Sequence, residues 1–222
     1  MNTIKQFEKN TTGSDYIVGD IHGCFSKLDD QLYKLGFNKK KDRLFSVGDL
    51  VDRGTDSERC ISFLEKPWFH AVRGNHEQMA IEYFGGNWPK NNYIVNGGEW
   101  FVDMLIGDQA KYVEMFDQLP YLIEVETDAG LIGIVHAECP VNDWEELKYL
   151  VNEGNDYNHE SYRNDCIWSR SRVTVGDCTI IKNIHEIYVG HTPMRSVTKA
   201  GNTNYIDTGA VFGNKLTIVK IQ

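Results

Sequence analysis

The chain of 222 residues lacks several features that would each have fixed a function class at once. No stretch approaches 18 consecutive apolar residues, so no transmembrane helix is expected. The opening Met1-Asn-Thr-Ile-Lys-Gln-Phe-Glu8 has no apolar core of the kind that drives secretion. Cysteines number only five, are scattered (24, 60, 139, 166, 178) and form no C-x-x-C, which argues against a disulfide framework or a zinc knuckle and for reduced thiols in the cytoplasm. Basic residues are in deficit, 23 Lys+Arg against 32 Asp+Glu, for a net charge of −9. A chain without a basic face is poorly suited to track nucleic acid or to dock on an anionic membrane, so neither partner is expected. Neither repeats nor low-complexity linkers break the sequence. It therefore reads as a loose N-terminal segment, residues 1–14, followed by a single catalytic domain over 15–222.

What the chain does have is an alternation of short apolar runs with helix-spaced segments. Tyr16–Val18 reads as a strand, and Phe25, Leu28, Leu32 and Leu35 put an amphipathic helix over Cys24–Leu35. A strand at Leu44–Val47, a helix over roughly 56–65 and a strand at Phe69–Val72 follow, giving a β-α-β-α-β core. The second half is richer in strands. Tyr121–Glu126 and Leu131–Val135 flank a turn at Thr127-Asp-Ala-Gly130, and further strands are expected at Ile187–Val189, Asn204–Ile206 and Leu216–Ile221. Between them, residues 143–165 carry seven acids (143, 145, 146, 153, 156, 160, 165) against Lys148 and Arg163, and are expected to form helices or loops over the core.

The placement of polar residues is the informative feature. Strand ends run directly into Asp20 with His22, Asp49, Asn75 with His76, His136 and His191, four of them through a glycine (19, 48, 74, 190) that lets the backbone turn off the strand. In open α/β sheets ligands gather at the carboxyl ends of strands, so these residues can converge. Carboxylates, a carboxamide and imidazoles suit borderline divalent ions such as Mn²⁺, Fe²⁺ or Zn²⁺. A pair of ions sharing one carboxylate would use the whole set and is common apparatus for in-line attack on phosphorus. Arg53, Arg73 and Arg170 lie near these ligands in the chain, and guanidinium forks match phosphoryl oxygens. With two divalent ions they would give an acidic chain a locally cationic pocket. His70, His159 and His185 have no comparable partners and read as structural, as do Cys24 and the aromatic group Trp88, Tyr93, Trp100 and Phe101.

Three blocks, Gly19-Asp-Ile-His-Gly23, Gly48-Asp-Leu-Val-Asp-Arg-Gly54 and Arg73-Gly-Asn-His-Glu77, stand in order about twenty-five to thirty residues apart. They resemble the signature blocks of the phosphoprotein phosphatase family of metal-dependent serine/threonine phosphatases. Pro67–Met79 and Tyr205-Ile-Asp-Thr-Gly-Ala-Val211 are most similar to its small phage and bacterial branch, typified by the bacteriophage lambda enzyme. The resemblance implies a calcineurin-like metallophosphoesterase β-sandwich of the α/β class, with two mixed sheets flanked by helices. It implies that Asp20 and His22 hold a first metal, that Asp49 bridges, and that Asn75, His136 and His191 complete a second, with Mn²⁺ the expected ion and Fe or Zn possible. A bridging hydroxide would attack phosphorus, His76 oriented by Asp52 would be the general acid, and Arg53 and Arg170 would clamp the phosphoryl group with Arg73 in support. Phosphorylated proteins or peptides and small aryl phosphates are the implied substrates. Ala137-Glu-Cys-Pro140 replaces the Gly-Gly that follows the ligand histidine in eukaryotic members, and the eukaryotic toxin-binding loop is missing.

Two other readings compete. Dinucleoside-polyphosphate (diadenosine tetraphosphate) hydrolases share Gly-Asp-x-His-Gly and Gly-Asn-His, but generally lack the acid at Asp52 and carry Asp where this chain has Glu77. A binding module on the same fold would have lost ligands, and here none is missing. The acidic 143–165 stretch lies between His136 and Arg170, and is expected to wall the substrate groove and disfavour acidic phosphopeptides.

Overall fold

The computed structural model describes residues 3–152 and 157–222. Among the described residues, ten strands build two sheets. They are β1 (Ile4–Phe7), β2 (Asp15–Val18), β3 (Arg43–Ser46), β4 (Phe69–Ala71), β5 (Leu122–Glu126), β6 (Leu131–Val135), β7 (Glu186–Val189), β8 (Thr198–Ala200), β9 (Thr203–Tyr205) and β10 (Ile218–Lys220). One sheet runs β10-β2-β3-β4, parallel but for the antiparallel β10; the other runs β1-β5-β6-β7-β9-β8. Both are mixed, as the resemblance implies.

The sheets face each other through an apolar layer in which Ile17, Phe45, Val47 and Val72 meet Ile123, Val125, Ile132, Ile134, Tyr188 and Ile206. Alternate side chains of these strands point outward, so each sheet needs a second cover. Over the four-stranded sheet lie α1 (Phe25–Leu35), α2 (Cys60–Leu64), α3 (Asn75–Phe84), α4 (Lys90–Val95), α5 (Glu99–Val102) and α6 (Ile106–Asp117), packed through Phe25, Leu28, Leu32, Phe63, Met79, Tyr93, Phe101 and Phe116. Over the six-stranded sheet lie α7 (Trp144–Asn152) and α8 (Tyr157–Trp168), with α9 (Ser171–Val175) following.

The β2-α1-β3-α2-β4 succession is the expected parallel core, and β5–β6 is the expected antiparallel hairpin. The helix over 56–65 is instead a 3₁₀ turn at Ser57–Arg59 leading into α2. The expectation of a loose segment at 1–14 is corrected: β1 pairs in parallel with β5, Ile4 opposite Leu122. Four residues with one strongly apolar partner face are too short to show a period, and the strand exists because β5 offers it an edge. Four short or weakly patterned helices, α3 to α6, fill residues 75–117, where the sequence analysis named no element. Of the acidic stretch, residues 143–152 and 157–165 are helical or adjoin helices as expected, while Glu153 and Asp156 lie outside the described residues.

Candidate active site

The carboxyl ends of β2, β3, β4, β6 and β7 carry Asp20, Asp49, Asn75, His136 and His191 to one place, all buried. The turns that deliver them are tight. Among described residues six non-glycines have positive φ, and five are His22, Asp49, Asp52, Arg53 and His191; the sixth is Asn183. Left-handed backbone is costly for residues with a Cβ, and it concentrates where surrounding structure imposes it for a purpose. Glycine serves the same packing. A Cβ at Gly190 would land on the Asp20 carboxylate, and one at Gly74 on that of Asp49.

Asp49 is the hub. Its Oδ2 stands 3.4 Å from His22 Nε2 and 3.9 Å from His76 Nε2, and its Oδ1 stands 3.3 Å from His136 Nε2. Asn75 Oδ1 is 3.0 Å from His136 Nε2 and 2.9 Å from His191 Nδ1. The backbone fixes which nitrogen each ring presents: Val47 O binds His136 Nδ1, Val51 O binds His22 Nδ1 and Trp168 O binds His191 Nε2. The outcome is two groups of donors, His22-Asp49-His76 and Asp49-His136-His191, each within 4.8 Å, that share Asp49. Asp20 lies at their edge, accepting the His191 N–H at 3.0 Å.

Burial, with the Asp207 and Asp49 charges, pushes the Asp20 carboxyl well up. Burial acts the same way on Asp49, but the His136, His76 and His22 imidazoles outweigh it and hold that carboxyl well below the usual range. Burial, reinforced by a neighbouring histidine in each case, lowers His22 and His191 to about 3, so both are neutral imidazoles near pH 7. Burial lowers His136 as well, but the Asp49 carboxylate outweighs it and raises that ring. Converging imidazoles, a carboxamide oxygen and a shared carboxylate, with Asp20 burdened by neighbouring acids, form a donor set that fits a pair of borderline divalent cations.

Beside the hub, His76 Nδ1 meets Asp52 Oδ2 at 2.6 Å. Asp52 Oδ1 accepts from Trp100 Nε1 at 2.6 Å and Tyr93 OH at 3.2 Å. A carboxylate and imidazole are thus held at the edge of a shared-carboxylate donor cluster on a two-sheet scaffold flanked by helices. The profile of the calcineurin-like phosphoesterases matches residues 16–214. This chain belongs to that family. Serine/threonine-protein phosphatase 1 of Salmonella typhimurium is 37% identical over 210 residues, covering 93% of this chain and 91% of that protein. The asymmetrical bis(5'-nucleosyl)-tetraphosphatase PrpE of Bacillus cereus is 31% identical over 226 residues, 90% of this chain and 87% of that one. Among solved structures, a protein serine/threonine phosphatase of Saccharomyces cerevisiae superposes with a TM-score of 0.60 at 16% identity, covering all of this chain and 84% of that one, which shows the shared fold.

Two of the three expected arginines stand at this phosphoesterase centre. Arg53 is exposed and donates to His22 Nε2 at 2.6 Å; Arg170 is exposed and donates to the His191 carbonyl at 3.2 Å. Arg73 is placed differently from the other two. It is buried, bonded to Gln78 and to the Asp117 carbonyl and carboxylate, with its guanidinium over the Tyr121 ring, so it ties β4 to the end of α6. Two residues beyond β4, the Arg73 side chain runs toward the end of α6, a direction that nearness in sequence to Asn75 does not reveal.

Four functional contributions were not anticipated. Tyr93 and Trp100, read only as core, also serve Asp52. Glu77 accepts the N–H groups of Gly74, Asp49 and Leu50, locking two signature turns together. Its place three residues beyond Gly74, at the start of a helix, was the available signal. Asp207, buried near Asp20, left only the Tyr-Ile-Asp-Thr-Gly motif. His70 packs at a tilt against both Phe7 and Phe45, which also touch each other, in keeping with a structural part.

Proposed function

We propose that this phosphoesterase hydrolyses phosphoserine and phosphothreonine monoesters in proteins or peptides, and accepts small aryl phosphates. The single observation that carries the reading is the 2.6 Å contact of His76 with Asp52 beside the Asp49 hub. An alkyl phosphate has a poor leaving group, and a proton donor held at its oxygen is what such a substrate needs. Asp20, His22, Asp49, Asn75, His136 and His191 would hold two divalent ions, with Mn²⁺ suited to the mixed O and N donors, and such a pair would supply a water of lowered pKa and cancel phosphoryl charge.

The chain's own residues do the rest. Arg53 and Arg170, exposed at the rim, grip the non-bridging oxygens and orient the ester. A water that has given one proton to solvent bonds phosphorus through its oxygen as the serine oxygen departs on the opposite side, and His76 Nε2 gives that departing oxygen its proton. Asp52, fixed by Tyr93 and Trp100, keeps the ring aimed. The five cysteines, all unpaired, support a reducing, cytoplasmic setting, as in a bacterial or phage-infected cell.

The deciding assay runs a phosphoserine peptide, a phosphotyrosine peptide and diadenosine tetraphosphate in parallel with Mn²⁺, with and without chelator. The phosphoserine peptide should be turned over fastest, and only in the absence of chelator. Faster turnover of diadenosine tetraphosphate would overturn the reading in favour of the activity that the Bacillus cereus relative's name carries.

A further inference from the structure

Glu138 has no part in the chemistry described so far, yet it is buried two residues beyond His136. One carboxylate oxygen accepts Ser169 Oγ at 2.5 Å; the other accepts the Arg172 N–H at 2.9 Å. Those two partners flank Arg170. The same segment is tied to the His136 loop again by the Arg172 side chain, which donates to the Cys139 and Val141 carbonyls, and by the Ala137 N–H, which donates to Cys166 O. On its other side Trp168 O meets His191 Nε2, and Arg170 itself reaches the His191 carbonyl.

We propose that Glu138 is a positioning residue that sets Arg170 for the phosphoryl group. Arg170 is exposed and anchored to a backbone carbonyl, and a long exposed side chain loses affinity to its own rotamer entropy unless its backbone is fixed. Glu138 fixes that backbone on both sides at once, and because it rides on the loop that follows His136, it references the arginine to the donor cluster. A glycine at this position would leave Ser169 Oγ and the Arg172 N–H without this shared acceptor. The inference rests on Arg170 binding phosphate, as proposed above, but not on the identity of the phosphoester.

The test is a double-mutant cycle read by inorganic phosphate as competitive inhibitor of aryl phosphate hydrolysis, using full-length chain loaded with Mn²⁺. Glu138→Ala should weaken phosphate inhibition roughly tenfold in the wild-type background and leave it unchanged in the Arg170→Ala background. Glu138→Gln keeps one acceptor and should give an intermediate constant with a Tm near wild type, so it carries the test if the alanine variant does not fold. Equal weakening in both backgrounds, or a lowered Tm with an unchanged phosphate constant, would overturn the proposal. If phosphoserine peptide is not a substrate at all, the protein phosphatase reading fails while this cycle still reports on Glu138.

Discussion

His76 Nδ1 and Asp52 Oδ2 lie 2.6 Å apart in the interior, and the ring's other nitrogen faces Asp49 at 3.9 Å. One imidazole is thus held from behind by a carboxylate while its free edge looks into the donor cluster.

That arrangement predicts a leaving-group dependence. His76→Asn should cut kcat on a phosphoserine peptide by roughly 10²–10⁴, with a much smaller loss on an aryl phosphate, whose phenolate departs without a proton. Equal losses on both would remove the acid assignment. Trp100→Phe deletes one donor to Asp52 while keeping an aromatic ring, and should lower kcat on the alkyl substrate without raising KM.

Because Asp49 belongs to both donor groups, Asp49→Asn should weaken Mn²⁺ binding at two sites rather than one. Titration calorimetry on chelator-treated protein gives the stoichiometry. Metal that binds the folded chain should also raise Tm with concentration, and the variant should lose that rise.

Arg73 and Arg53 should separate cleanly. Arg53→Ala should raise KM and weaken phosphate inhibition with little change in Tm, because the side chain is exposed. Arg73→Met should instead cost about 2–4 kcal/mol of stability, measured by denaturant unfolding, since it removes a buried guanidinium that bonds Gln78 and the Asp117 carbonyl. A phosphate constant unchanged for Arg73→Met would match its place between β4 and α6.

Burial, helped by Lys5 and Arg43, lowers His70 to about 3 from an ordinary value near 6.5. Between those values the unfolded chain binds a proton at this ring and the folded chain does not, so stability must fall as pH drops through 6.5 toward 3. Replacing the ring by His70→Phe should make stability less dependent on pH over that window, measured by urea midpoints of chelator-treated protein. An unchanged slope would mean that the ring titrates alike in both states.

Much of this protein is written locally in its sequence. The strand–glycine–ligand turns at Asp20, Asp49 and Asn75, and the order β2-α1-β3-α2-β4, follow from apolar runs that stop at residues able to turn sharply, and such signals survive without tertiary context. The three signature blocks therefore carry the metal-binding pattern in the sequence itself. Tertiary structure alone decided the rest. β1 is a strand because β5 presents an edge to it. Tyr93 and Trp100, more than forty residues from Asp52, become its hydrogen-bond partners only when α4 and α5 fold back over the β3 turn. Arg73 and Arg170 look alike in sequence, each a cation near a ligand, but one is drawn inward to Asp117 and the other is left at the rim. A side chain's direction depends on what packs against its backbone, and that information is distributed along the chain rather than held at the residue.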